Sequence, residues 1–295
     1  MRRLLIRLLL LTVAAGAGLL ALLPVLRNGR VDAFYARFTS PPAGSLIVGT
    51  SRAAQGIRPD IITSQAPFAF DGPLLNYAFT LTHSPYGPAY LASIRRKLKP
   101  ETRNGLFIVA VDPWSLAAVN EQFPEASSFI GQLSQVSQNP NLPYLTRYQT
   151  KPLYRLLLDY ATATERLHPD GWLEVRIATD SATVRARTAR KVLDYRKLMA
   201  AQHLSAGRLA ALRQTIELLR QHGRVYLVRL PVGPPLRQLE QEFQPDFAAQ
   251  MQQLARQQQV RYLDYSAQPY ATTDGNHLQR EAAAAFSRQL AAALR

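Results

Sequence analysis

Two short segments near opposite ends of the 295-residue chain hold the side chains best suited to nucleophilic chemistry. Gly49-Thr50-Ser51-Arg52 follows the apolar run Ser45-Leu46-Ile47-Val48. A serine there sits at the carboxyl edge of a buried strand, where a strand-to-helix turn exposes its hydroxyl and supplies backbone N–H groups. Thr272-Thr273-Asp274-Gly275-Asn276-His277-Leu278 precedes a final amphipathic stretch. Three-residue spacing across a turn lets Asp274 orient His277, and His277 would then be a general base toward a serine. Both segments also have plainer readings. Gly-Thr-Ser is ordinary turn chemistry, and Asp274 or Asn276 could cap the last helix with His277 a polar residue of its first turn.

Composition removes other chemistries. With no cysteine, thiol catalysis, thiolate zinc sites and iron–sulfur clusters are excluded. His83, His168, His203, His222 and His277 lack a paired helical spacing such as HExxH, so no metal and no cofactor is expected. Arg52, beside Ser51, could hold an anionic substrate group or pair with a structural carboxylate.

The elements that must position these residues can be traced along the chain. Short apolar runs at Ser45–Gly49, Leu74–Phe79, Leu106–Val111, Val225–Leu230 and Val260–Leu263 read as buried strands. Helical stretches at Tyr86–Leu98, Ser205–Gln221, Phe247–Gln258 and Leu278–Leu294 alternate with them. That alternation implies an α/β fold, a three-layer α/β/α sandwich on a mostly parallel, five-stranded flavodoxin-like sheet. Residues 113–203 break the rhythm, with helices expected at Leu153–Leu167 and near Arg185–Met199. They read as an insertion beside the carboxyl ends of the strands. Its basic stretch RARTARKVLDYRK could meet an acidic polymer or lipid, or be a solvated helix face.

Arg2, Arg3 and Arg7 precede an uncharged run from Leu8 to Leu26, about the length of a bilayer's hydrocarbon core. Residues 1–30 read as an uncleaved signal anchor, a single transmembrane helix, with 31–44 a linker and 45–295 the main domain. Ala15-Gly16-Ala17 leaves a cleaved signal peptide as the rival. Only Arg27 and Arg30 follow the span closely, so the positive-inside rule puts the N-terminus in the cytoplasm and the main domain outside the cell membrane. Beyond residue 30 the chain keeps 30 basic against 20 acidic residues, a charge of +10. Export makes acidic headgroups or anionic envelope polymers the expected partners rather than nucleic acid.

A serine after the first strand and an Asp-x-x-His before the last helix resembles the SGNH, or GDSL-like, hydrolase superfamily. SLIVGTSRAAQGI at Ser45–Ile57, Leu75-Asn76-Tyr77-Ala78 and the closing DGNHL are similar to its membrane-anchored branch, which contains DltD-like and alginate-acetylation proteins. The resemblance implies Ser51 as nucleophile, His277 as general base and Asp274 as its orienter. It implies Asn76 as an oxyanion donor beside the Ser51 backbone N–H, and His83 as a residue lining the cleft or contacting an acyl acceptor. His83 has a plainer reading too, in the loop entering a helix capped by Ser84 and Pro85. Thr50 stands where the GDS form has Asp, and Val111-Asp112-Pro113-Trp114-Ser115 stands where Gly-x-Asn-Asp is usual. The implied activity is that of a membrane-anchored extracytoplasmic serine esterase or O-acyltransferase acting on acylated cell-envelope polysaccharide or a related glycan, with a membrane-bound O-acyltransferase as a possible partner. The alternative is a non-catalytic relative that binds polysaccharide or assists envelope assembly.

Overall fold

The computed structural model describes residues 1–295, apart from the side chains of Ala15, Leu19 and Leu22. Helix α1 (Arg2–Leu26) is long and apolar enough to cross a membrane, with a mean hydropathy of 2.4 over its most apolar 18 residues. A short helix, α2 (Tyr35–Thr39), connects it to the first strand, β1 (Ser45–Val48). Then follow α3 (Ser51–Gly56), α4 (Pro59–Gln65), β2 (Leu74–Asn76), α5 (Pro88–Lys97) and β3 (Gly105–Ala110). The chain resumes its alternation with α9 (Ala206–Arg220), β8 (Gly223–Arg229), α10 (Pro234–Phe243), α11 (Phe247–Gln257), β9 (Arg261–Asp264) and α12 (Arg280–Ala293). Between these halves lie β4 (Ala117–Ala118), α6 (Leu142–Tyr148), α7 (Leu153–Thr162), β5 (Glu165–Leu167), β6 (Leu173–Val175), α8 (Ser181–Ala201) and β7 (His203–Leu204).

The central sheet has the order β2-β1-β3-β8-β9 with every pair parallel. Strands β1 and β3 and the middle of β8 are apolar and buried because helices cover both faces, whereas the edge strand β9 is exposed at Arg261 and Asp264. Alternate residues serve opposite cores. Leu46, Val48, Phe107, Val109 and Leu227 meet Tyr90, Ile94, Leu212, Ile216 and Met251 on one side. Ile47, Leu106, Ile108 and Val228 meet Ala53, Ile62, Ala283, Phe286 and Leu290 on the other.

Several boundaries differ from the sequence reading for identifiable reasons. Helix α5 starts at Pro88, because Ser84 Oγ donates to Gly49 O and accepts from Phe79 N–H instead of capping a helix. The stretch read as one helix over Leu153–Leu167 ends at Thr162, and Glu165–Leu167 pairs antiparallel with Leu173–Val175. The two ends of the inserted segment meet, since Ala117 and Ala118 pair with Leu204 and His203. The excursion therefore leaves and rejoins the α/β frame at one place, next to the carboxyl end of β3.

Candidate active site

The turn after β1 is built on Gly49. Its φ of +144° is open to glycine, and a side chain there would come within 2.8 Å of the Ala110 Cβ. The chain therefore leaves the sheet sharply, Thr50 stays extended as the N-cap, and Ser51 becomes the first residue of α3. The second segment is a closed turn. Thr272 bridges Leu278, Thr273 N–H donates to His277 O at 2.8 Å, and Asp274 Oδ1 accepts from the backbone N–H groups of Asn276 and His277. Gly275, with φ of +78°, anchors this turn by accepting from Gly233 N–H after β8.

These two turns bring three predicted site residues together. Ser51 Oγ lies 2.9 Å from His277 Nε2, and His277 Nδ1 lies 2.9 Å from Asp274 Oδ2. Burial alone would raise the Asp274 carboxyl. The hydrogen bond and charge of His277, a backbone N–H and Lys191 outweigh it and hold the group well below the usual carboxylate range. An ionised Asp274 places the imidazole proton on Nδ1, which leaves the Nε2 lone pair facing the Ser51 hydroxyl. The arrangement can move a proton from Ser51 to His277 while Asp274 balances the imidazolium.

Beneath the turns runs a buried polar network. Arg52 donates from Nε and Nη2 to Asn276 Oδ1 at 2.9 and 2.7 Å, and its Nη2 lies 2.6 Å from Glu240 Oε1. Glu240 also accepts from Trp114 Nε1 and from Arg229 Nη2. Burial lowers the Arg52 guanidinium, but Glu240 and Asp112 reverse this and hold it charged more firmly than usual. Arg52 is thus committed to a structural carboxylate, and the substrate-anion role is corrected. Asp112 forms a capping box with Ser115 over the 3-10 turn Pro113–Leu116, and burial raises its carboxyl against the pull of Arg52.

Two further assignments change. Asn76 is fully buried, and its Nδ2 donates to Ala53 O and Ile57 O at 2.8 and 2.9 Å while Oδ1 accepts from Ala78 N–H. Its amide ties β2 to the end of α3 and has no donor left for an oxyanion. His83 hydrogen-bonds Thr80 Oγ1 at 2.7 Å and packs its ring against Phe34 and Phe129, each at 4.9 Å between centroids. Burial lowers its pKa, and the ring sits within an aromatic cluster with no hydrogen bond to the cleft residues.

Asn276, which the sequence reading treated only as a capping candidate, is the polar group that the structure adds to the site. Arg52 fixes its Oδ1, so Nδ2 points toward the reacting atoms and lies 3.1 Å from His277 Nε2. Lys191 is the second addition, with Nζ 3.4 Å from Asp274 Oδ2. Its helix α8 crosses the turn closely enough that a side chain at Gly275 would meet Thr188. Asn276 was visible in the string DGNHL, whereas nothing in the basic pattern of α8 marked Lys191 apart from its neighbours.

No protein-family model matches the chain, and no curated protein matches it. Among solved structures, the chain is similar to an inhibitor-bound aryl esterase from M. smegmatis at 14% identity, covering 85% of this chain and 98% of that one with a TM-score of 0.39.

Proposed function

We propose that the protein is a membrane-anchored extracytoplasmic serine esterase or O-acyltransferase. The observation that carries this reading is the continuous contact from Ser51 Oγ through His277 to Asp274, assembled from two turns 226 positions apart in sequence. Ser51 Oγ attacks the carbonyl carbon of an ester while its proton passes to His277 Nε2. The tetrahedral adduct then expels the alcohol, which takes that proton, and an acyl-Ser51 intermediate remains. Water or a sugar hydroxyl next gives its proton to His277 and attacks the acyl carbon. Collapse returns the proton to Ser51 Oγ and releases an acid or a new ester.

The charge that develops on the carbonyl oxygen needs donors already in place. The Ser51 backbone N–H and Asn276 Nδ2 are the candidates, and Asn276 takes the role first given to Asn76. In the resting site Asn276 Nδ2 and Ser51 Oγ both approach the single Nε2 lone pair, at 3.1 and 2.9 Å. Once Nε2 is protonated it no longer accepts from Asn276, whose amide is then free to donate to the oxyanion.

Acylated envelope glycan is the proposed substrate class, supported by the export segment and by the resemblance of the two end motifs. Purified full-length protein in detergent, given O-acetylated sugars or aryl acetates, should release or transfer acetate, and His277→Ala should abolish the turnover. A second reading, a non-catalytic glycan-binding or envelope-assembly protein, draws on Thr50 and on the Val-Asp-Pro-Trp-Ser sequence after β3. Under that reading acetate release is absent, and glycan binding is equal in wild type and His277→Ala.

A further inference from the structure

We propose that α7 lies in the polar–apolar boundary of the bilayer, beside the point where α1 leaves it, so that lipid covers its outer face. This rests on the reading of α1 as a membrane anchor. After the end of α1, eight large apolar side chains are exposed among the described residues, and five of them, Leu153, Tyr154, Leu157, Leu158 and Tyr160, belong to α7. At about 100° per residue, Leu153, Leu157, Tyr154 and Leu158 share one arc of the helix. Tyr154 is 73% exposed, Leu157 46% and Leu158 47%, whereas Leu156, on a different arc, is buried at 4%. The remaining arc is polar, and there Asp159 pairs with Lys151 at 2.7 Å and Arg155 at 3.3 Å. A helix with a single buried leucine, a polar arc and an apolar arc turned outward leaves that apolar arc in need of an apolar medium.

The position of α7 says which medium that is. It contacts α1, and the Arg30 guanidinium sits 5.6 Å over the Tyr160 ring. Just beyond it, Leu167 N–H donates to Gly29 O at 3.0 Å, three residues past the last residue of α1. Leu23 and Leu26 of α1 pack against the main core, so the domain has no slack to stand away from the membrane. Tyrosines with an apolar ring and a polar tip, and basic side chains on the flank, suit the headgroup level. Lipid there would fix the tilt of the domain as well as its distance from the bilayer.

The absence of cysteine makes the test direct. Single substitutions Leu10→Cys, Tyr154→Cys, Leu157→Cys and Leu193→Cys in the full chain would each carry an environment-sensitive fluorophore. The proteins would be reconstituted in phosphatidylcholine–phosphatidylglycerol vesicles containing nitroxide lipids at known depths, with folding checked by circular dichroism. The expected result is deep quenching at position 10, at least twofold shallow quenching at 154 and 157, and none at 193. Quenching at 10 without quenching at 154 and 157 would overturn the proposal and leave the anchor standing. In that case, α7 labels that shift only as the protein-to-lipid ratio rises would assign the face to a second copy. Quenching at 154 and 157 but not at 10 would remove the anchor and overturn the placement of α7 beside an emerging α1.

Discussion

At the scale of single residues, the site separates groups that react from groups that hold them. Asn276 is proposed to touch the oxyanion, so Asn276→Ala should lower kcat by about 10²–10³-fold with a small change in KM, as measured by steady-state ester hydrolysis. Asn76 is a structural amide. Asn76→Ala leaves Ile57 O without its donor and Ala78 N–H without its acceptor, while Ala53 O keeps the Ile57 N–H, and should cost about 1–3 kcal/mol in unfolding, read from the denaturant midpoint. Ser51, Asp274 and His277 were legible only through the two end segments taken together, a serine after the first buried run and an Asp-x-x-His before the last helix, since either alone also reads as turn or cap chemistry. Arg52 and Asn76 were legible as polar residues near that site but not in their direction. One helical step turns Arg52 inward to Glu240, and the pleat of β2 turns Asn76 under α3.

At the scale of elements, the connection from α2 to the sheet rests on a buried lysine. Lys97 Nζ donates to Phe38 O at 2.9 Å and Ser40 O at 2.6 Å, and burial pushes its pKa down from 10.5 to about 7. Between about pH 7 and 10.5 the unfolded chain holds a proton that the folded chain releases, so stability should rise with pH across that window and lose this slope below it. Lys97→Met should be less stable overall, because Ser40 O loses its donor and Phe38 O keeps only the Ser137 N–H, and should lack that part of the slope. Thermal unfolding followed by near-ultraviolet circular dichroism at several pH values measures both. The inner strands β1, β3 and β8 were legible because runs covered on both faces are apolar, and the edge strands β2 and β9 through the short apolar pairs Leu74-Leu75 and Tyr262-Leu263. Helix α3 was not, since six residues are too few to show a helical period, and the Pro234-Pro235 start of α10 reads as a loop until proline is recognised as a first-turn residue. The β5–β6 hairpin was hidden because Leu167, 14 positions after Leu153, continues the helical spacing of α7.

At the scale of the whole molecule, one parallel sheet presents its carboxyl edge to an excursion that begins and ends at the β4–β7 pair. The excursion contributes in two directions. Helix α8 brings Lys191 and Thr188 over the Asp274 turn, and α7 carries the apolar face beside α1. The sequence pattern gave the existence of this segment but not its reach, because contacts across more than 80 positions leave no local periodicity. The central claim is that Ser51 is an activated nucleophile, and covalent labelling of the folded full-length protein by a fluorophosphonate tests it most directly. Wild type should gain one adduct, mapped by peptide mass to Ser51, with no adduct in Ser51→Ala and labelling slowed at least about 100-fold in His277→Ala. Equal labelling of Ser51→Ala, or no adduct on folded wild type, would contradict it.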